Sequence, residues 1–145
     1  MTKRSYFALL TWTNLANIAY LAGACWWASH RADPAPSPVA GGDTVWLVLG
    51  TTVLFMAVLY HVLKTAGKTG EHGQAVKLSP ERFHQITRTS VAIAEVNCLL
   101  GLLCVLQGAP VPELVPFVAA TITTELVCIV PTGRRYWAAR ERMGR

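Results

Sequence analysis

A chain of 145 residues in which 52% are hydrophobic and only 14% are charged has too few charges to cover a soluble core, because soluble domains carry charge on roughly a quarter of their residues. The mean hydropathy of +0.36 excludes a disordered chain, and four cysteines in so apolar a sequence do not make a secreted disulfide scaffold. The formal charge of +5 would suggest a nucleic-acid partner on a soluble protein, so its placement along the chain decides the class.

Crossing about 30 Å of hydrocarbon takes about 20 apolar residues, and four stretches meet that length. The first runs from about residue 6 to 28 without a charge and ends in Trp26 and Trp27, which suit the headgroup boundary. Lys3 and Arg4 ahead of it also fit a secretory signal, but the run is long for one and Asn14 and Asn17 interrupt it, so it is read as a retained span. The second covers about 44–64, with Asp43 as N-cap, Trp46 at its outer edge and Gly67 beyond its end. The third covers about 88–107, and its start signal lies earlier. Ser79, Pro80 and Glu81 have the pattern of N-cap, N1 and first turn, so this helix begins near 79, outside the bilayer. The fourth covers about 113–131, opening at Pro112 and Glu113 and stopping at Pro131, Thr132 and Gly133.

Twelve of the thirteen Lys and Arg residues fall before span one, between spans two and three, or after span four. Arg31 alone lies on the other side. Both termini are therefore expected in the cytoplasm, in an all-α, polytopic membrane protein built as an antiparallel up-down-up-down bundle of four helices, placed in a cell inner membrane. A basic skirt of this kind serves insertion and anionic lipid headgroups, which removes the nucleic-acid reading. The tail 134–145, with Tyr136 and Trp137, is expected to lie along the inner surface. The connection His30–Gly42 should be extended, Lys64–Leu78 a glycine-containing loop, and Gln107–Val111 a short turn.

Charged residues within spans are costly, about 2.5–3.5 kcal/mol at a helix centre, which singles out Glu95 and Glu125. Counted from Arg88 and from Pro131, the two lie roughly 10 and 9 Å above the cytoplasmic ends of their helices, at one level. Asn14 and Asn17 sit one turn apart on span one. Gly50, Leu54, Ala57 and His61 form one stripe on span two with Tyr60 beside its end, and Thr121, Glu125 and Cys128 form another on span four. Glu95 and Asn97 point about 200° apart, so they face different neighbours. The expected binding set is Asn14, Asn17, Tyr60, His61, Glu95, Asn97, Thr121 and Glu125, around an inward-facing acidic cavity that binds or transports a cation, proton or small solute.

Two other classes fit the same residues. One is an enzyme acting on a lipid-soluble, isoprenoid-like or quinone-like substrate, with Glu95, Glu125 and His61 in acid-base roles and Arg88, Arg134 and Arg135 holding an anionic head. No nucleophile, phosphate-loop or metal-ligand motif accompanies it, and no metal, haem or other cofactor is expected. The other is an accessory subunit of a larger membrane complex. Membrane lipids are the expected partners, and the small residues from Ala19 to Gly23 are candidate contacts for a homo-oligomer.

Overall fold

The computed structural model describes residues 2–30, 42–69, 76–106 and 109–144. Every regular element among them is helical: α1 (Lys3–Ser29), α2 (Gly42–Thr65), α3 (Pro80–Leu106), a 3-10 turn (Val111–Glu113), α4 (Leu114–Thr124), a π-helical segment (Glu125–Ile129) and α5 (Val130–Met143). Among the described residues, three helices are long and apolar enough to cross a membrane: Val45–Thr65, Pro80–Leu106 and the continuous rod Leu114–Met143. Helix α1 has the length, but Thr11, Thr13, Asn14 and Asn17 along its middle keep it out of that set. Most of the connection expected at 30–42, residues 70–75 of the one at 64–78, and residues 107–108 of the turn at 107–111 lie outside the described residues.

Local signals explain most of the boundaries. The Ser79 hydroxyl accepts from the Arg82 N–H at 3.3 Å, and the Ser79 carbonyl accepts from Phe83 at 2.9 Å, so α3 starts where a proline at the first helical position places it. Helix α2 closes through Ala66, and Gly67 follows with φ at 60°, a backbone state that favours glycine. Gly42 already belongs to α2, so Asp43 lies inside the helix instead of capping it.

The stop expected at Pro131–Gly133 does not occur, because the helix continues through proline to Met143. Proline lacks an N–H and crowds the preceding turn. One widened turn absorbs this, with the Val130 N–H donating to the Glu125 carbonyl five residues back. Side chains occupy neighbouring carbonyls: the Thr132 hydroxyl donates to Cys128 O at 2.9 Å, and the Tyr6 hydroxyl to Ile129 O at 3.1 Å. Helix α5, which carries the basic tail, thus continues α4 without a break and buries Gly133, Tyr136 and Trp137.

Helices α3 and α4 lie at the centre and each contacts both α1 and α2. Contacts fix the chain directions. Asn97 meets Phe117 and Thr121, and Phe83 meets Tyr136, so α3 runs antiparallel to the α4–α5 rod. Asn17 meets Glu95 and Tyr20 meets Cys98, so α1 runs parallel to α3. His61 meets Ser90 and Gly50 lies against Asn97, so α2 runs antiparallel to α3.

The end that holds both termini has an aromatic core. Phe83 stacks on Tyr136 at 4.0 Å and 9° and on Tyr6 at 5.5 Å, while Trp137 packs edge-on against Tyr136. The Tyr136 hydroxyl donates to Leu78 O at 3.0 Å, which ties the segment before α3 to the rod. Two close approaches hold the layers. A Cβ on Gly133 would run into the Tyr6 ring, and one on Gly101 would meet Leu114 at 2.7 Å. Gly133→Ala should therefore cost about 1–3 kcal/mol through overpacking. Gly23→Ala, which meets nothing within 4 Å, should cost nothing measurable; thermal unfolding of both variants in one detergent makes the comparison.

Candidate functional site

The side chains that a helix interior tolerates least meet between α1, α3 and α4. Glu125 opens the π turn and is fully buried. Its Oε2 accepts from Asn14 Nδ2 at 2.9 Å and from the Thr13 hydroxyl at 3.3 Å. Glu95, half-buried on α3, accepts at Oε1 from Asn17 Nδ2 at 2.9 Å. The two carboxyls lie near enough for Glu125 to feel the charge of Glu95. Each acid therefore takes its donors from α1, one helical turn apart.

This pairing explains the composition of α1. Thr13, Asn14 and Asn17 cost apolarity, but they are used by the two acids, whereas Thr11 bonds Phe7 O of its own helix, and the faces left over carry Trp12, Leu15 and Ile18, all exposed. The π turn has a comparable role. A widened turn rotates the residues on either side of it relative to a regular helix, so it sets how the Glu125 side of the rod meets α1 while Tyr6 holds the turn from outside.

Two acceptors remain without partners. Glu125 Oε1 and Asn14 Oδ1 are buried and receive no hydrogen bond. Both Asn14 amide protons are already engaged, on Glu125 Oε2 and on Leu10 O at 2.7 Å. Two adjacent carboxyls and a bare amide oxygen form a site rich in acceptors and short of donors. In a low-dielectric interior such a group calls for a positive charge between its members, supplied by a proton or by a cation.

The other expected residues lie nearby in different arrangements. Asn97 turns away from Glu95, donating to Phe117 O at 2.8 Å and to the Thr121 hydroxyl at 3.1 Å. Its Oδ1 sits where a Cβ on Gly50 would be. Thr121, on the stripe that leads to Glu125, directs its hydroxyl to Phe117 O at 3.0 Å and also contacts Cys98 Sγ at 3.4 Å. Asn97 and Thr121 thus form a satisfied polar clasp between α3 and α4, beside the acids.

His61 is buried with Ala57 on the inner stripe of α2. Its Nδ1 lies 3.1 Å from Ser90 Oγ, whose own proton goes to Ile86 O at 2.8 Å. Ser90 therefore accepts from His61 Nδ1–H, leaving Nε2 as a buried lone pair without a partner. Tyr60 packs at the edge of the aromatic core, 6.0 Å below Lys64 Nζ. Arg88, Arg134 and Arg135 are exposed on α3 and α5. Among the described residues, no three His, Cys, Asp or Glu side chains come together as metal ligands.

Sequence reasoning missed Thr13 and Tyr6. Thr13 is four residues before Asn17 and so shares its face, which was the available signal. Tyr6 carried none, since its role depends on the turn made by Pro131.

The chain matches no family model, no curated protein and no solved structure. The reading of its function therefore rests on the acid pair and its surroundings.

Proposed function

We propose that this is an integral membrane protein, an antiparallel four-helix bundle with both termini in the cytoplasm, whose Glu95–Glu125 pair binds a proton or cation and exchanges it during transport of a small cationic solute. The observation that carries the reading is the meeting of the two acids, from separate helices, with their donors drawn from α1 and two buried acceptors left over. Interhelical hydrogen bonds within a bilayer contribute only about 0.6 kcal/mol on average, less than the insertion cost of either acid, so cohesion alone is a weak reason to keep both. Helix α1 acts as the fourth span, its polar face turned to the acids and its apolar face to lipid. The exposed basic residues Lys3, Arg4, Arg82, Arg88, Arg134 and Arg135 surround the aromatic end, in line with a cytoplasmic placement and with contact to anionic headgroups of a cell inner membrane.

The test is exchange in proteoliposomes. A pH gradient is imposed, and sodium, potassium, guanidinium or tetramethylammonium is added outside while an entrapped dye reports internal pH. At least one cation should drive proton movement in the protein, and Glu95→Gln and Glu125→Gln should each abolish it. Proton movement that is the same in protein-free vesicles, or unchanged in both variants, contradicts the reading.

A further inference from the structure

Among the described residues, three apolar grooves open on the outer surface. One lies on α2 alone, about 460 Å³, lined by Leu47, Val48, Thr51, Thr52 and Phe55. Its two hydroxyls are spent on their own helix, Thr51 on Leu47 O and Thr52 on Val48 O, both at 2.8 Å, so it offers a ligand no directed group. A second, about 300 Å³, runs beside Tyr20 and Gly23 on α1 and Val105 on α3, and the Tyr20 hydroxyl is likewise engaged, on Cys98 O.

The third differs. It lies between α1 and the α4–α5 rod, has a volume of about 430 Å³, and includes Leu10, Asn14, Leu15, Ile18, Ile122 and Leu126 in its lining. Its volume falls in the range of small-molecule sites. Leu15, Ile18 and Leu126 are each about half exposed, so in a bilayer the groove faces the acyl chains. Asn14 links this groove to the acid pair. Both its N–H donors are occupied, one of them by Glu125, and its Oδ1 is buried without a donor. That oxygen is closed to solvent, so a ligand head that reaches it must part the side chains covering it, and must donate. The carboxyl behind the amide, with its own unpartnered Oε1, favours a head that also carries positive charge and repels an anionic one.

We infer that this groove binds amphipathic organic cations, molecules with an apolar chain and a nitrogen head bearing N–H donors, which enter sideways from the membrane. The inference rests on the cation-binding reading of the acid pair and names the class of solute it serves. The chain lies along Leu15, Ile18 and Leu126, and the head donates to Asn14 Oδ1 with Glu125 as counter-charge.

The experiment uses the full chain in lipid nanodiscs with dodecylguanidinium carrying a photoreactive diazirine in mid-chain, the labelled residues being read by mass spectrometry. Labelling should fall on Leu15, Ile18 or Leu126. Unlabelled dodecylguanidinium should compete with it roughly tenfold or more better than dodecanol, because only the guanidinium can make a charge-assisted hydrogen bond there. Glu125→Gln should weaken labelling by roughly tenfold or more. Leu126→Trp, which fills the groove, should cut labelling by roughly tenfold or more while its circular dichroism and thermal unfolding in the same nanodiscs match those of the unsubstituted protein, which shows that the variant is folded. Labelling spread over the outer face of α2, equal competition by dodecanol, or undiminished labelling in Leu126→Trp overturns the inference. If guanidinium exchange still depends on Glu125 in that case, the cation reading stands without it. If exchange is independent of Glu125, the reading beneath it fails as well.

Discussion

Glu125→Gln should slow cation-driven proton exchange by roughly a hundredfold or more, equivalent to about 2.7 kcal/mol, while the protein keeps its helical content and thermal stability to within about 1 kcal/mol. The amide keeps an oxygen that can accept from Asn14 and Thr13, the two donors that Glu125 now receives at 2.9 and 3.3 Å. What it removes is the charge and the ability to take up and release a proton. Glu95→Gln should have the same sign, since Glu95 is the other half of the pair and is held separately by Asn17. The double variant should be no slower than the worse single one, because groups that act as a unit are not additive. Thr13→Val deletes the longer of the two bonds to Glu125 and should slow exchange only severalfold. Initial rates in proteoliposomes, with unfolding curves of the same preparations, separate loss of chemistry from loss of fold.

Phe83→Ala should give the largest loss of stability, about 3–5 kcal/mol. Phe83 is fully buried between Tyr136 and Tyr6, so alanine leaves a cavity where α1, α3 and α5 meet and also removes two ring contacts worth about 0.5–1.5 kcal/mol each. The size of the effect bears on topology. Apolar association gains the full hydrophobic term only where the alternative is water, and in lipid it gains packing alone. A loss at the upper end of the range therefore places the aromatic core outside the hydrocarbon, with the termini; a loss near 1 kcal/mol would place it inside. Chemical or thermal unfolding of the variant in a mild detergent, with Phe83→Leu as the volume-sparing control, provides the number.

How much the sequence revealed depended on whether a feature was local. The α2 stripe of Gly50, Leu54, Ala57 and His61 follows from helical period, and in the structure Gly50, Ala57 and His61 are buried. The divergence of Glu95 from Asn97 follows from 100° per residue, and the two side chains do go to α1 and to α4 respectively. The Ser79–Pro80 start of α3 was legible for the same reason. Which asparagine holds which acid was not, because that depends on how α1 is rotated and shifted against its neighbours, which no local pattern encodes. Pro131 misled for a physical reason. A proline costs a helix one hydrogen bond and a clash, but Thr132, Tyr6 and one widened turn meet that cost through contacts up to 123 residues apart in sequence. Thr121 shows the limit of a stripe: it shares a face with Glu125, yet its hydroxyl is committed to Asn97, Cys98 and its own helix. Likewise, hydropathy alone leaves α1 below the membrane-crossing set, although its polar residues are the ones the acids use.

On the proposed reading, Glu95 and Glu125 hold one exchangeable positive charge between them. Infrared difference spectra of the protein in lipid nanodiscs, taken between acidic and alkaline pH, read the carbonyl stretch of protonated carboxyls directly. A titrating band is expected that is lost or displaced as a whole in either Glu95→Gln or Glu125→Gln, and that is suppressed by a bound cation. A band that halves in each variant, or one that neither pH nor the substitutions change, would mean that the two acids act independently or not at all.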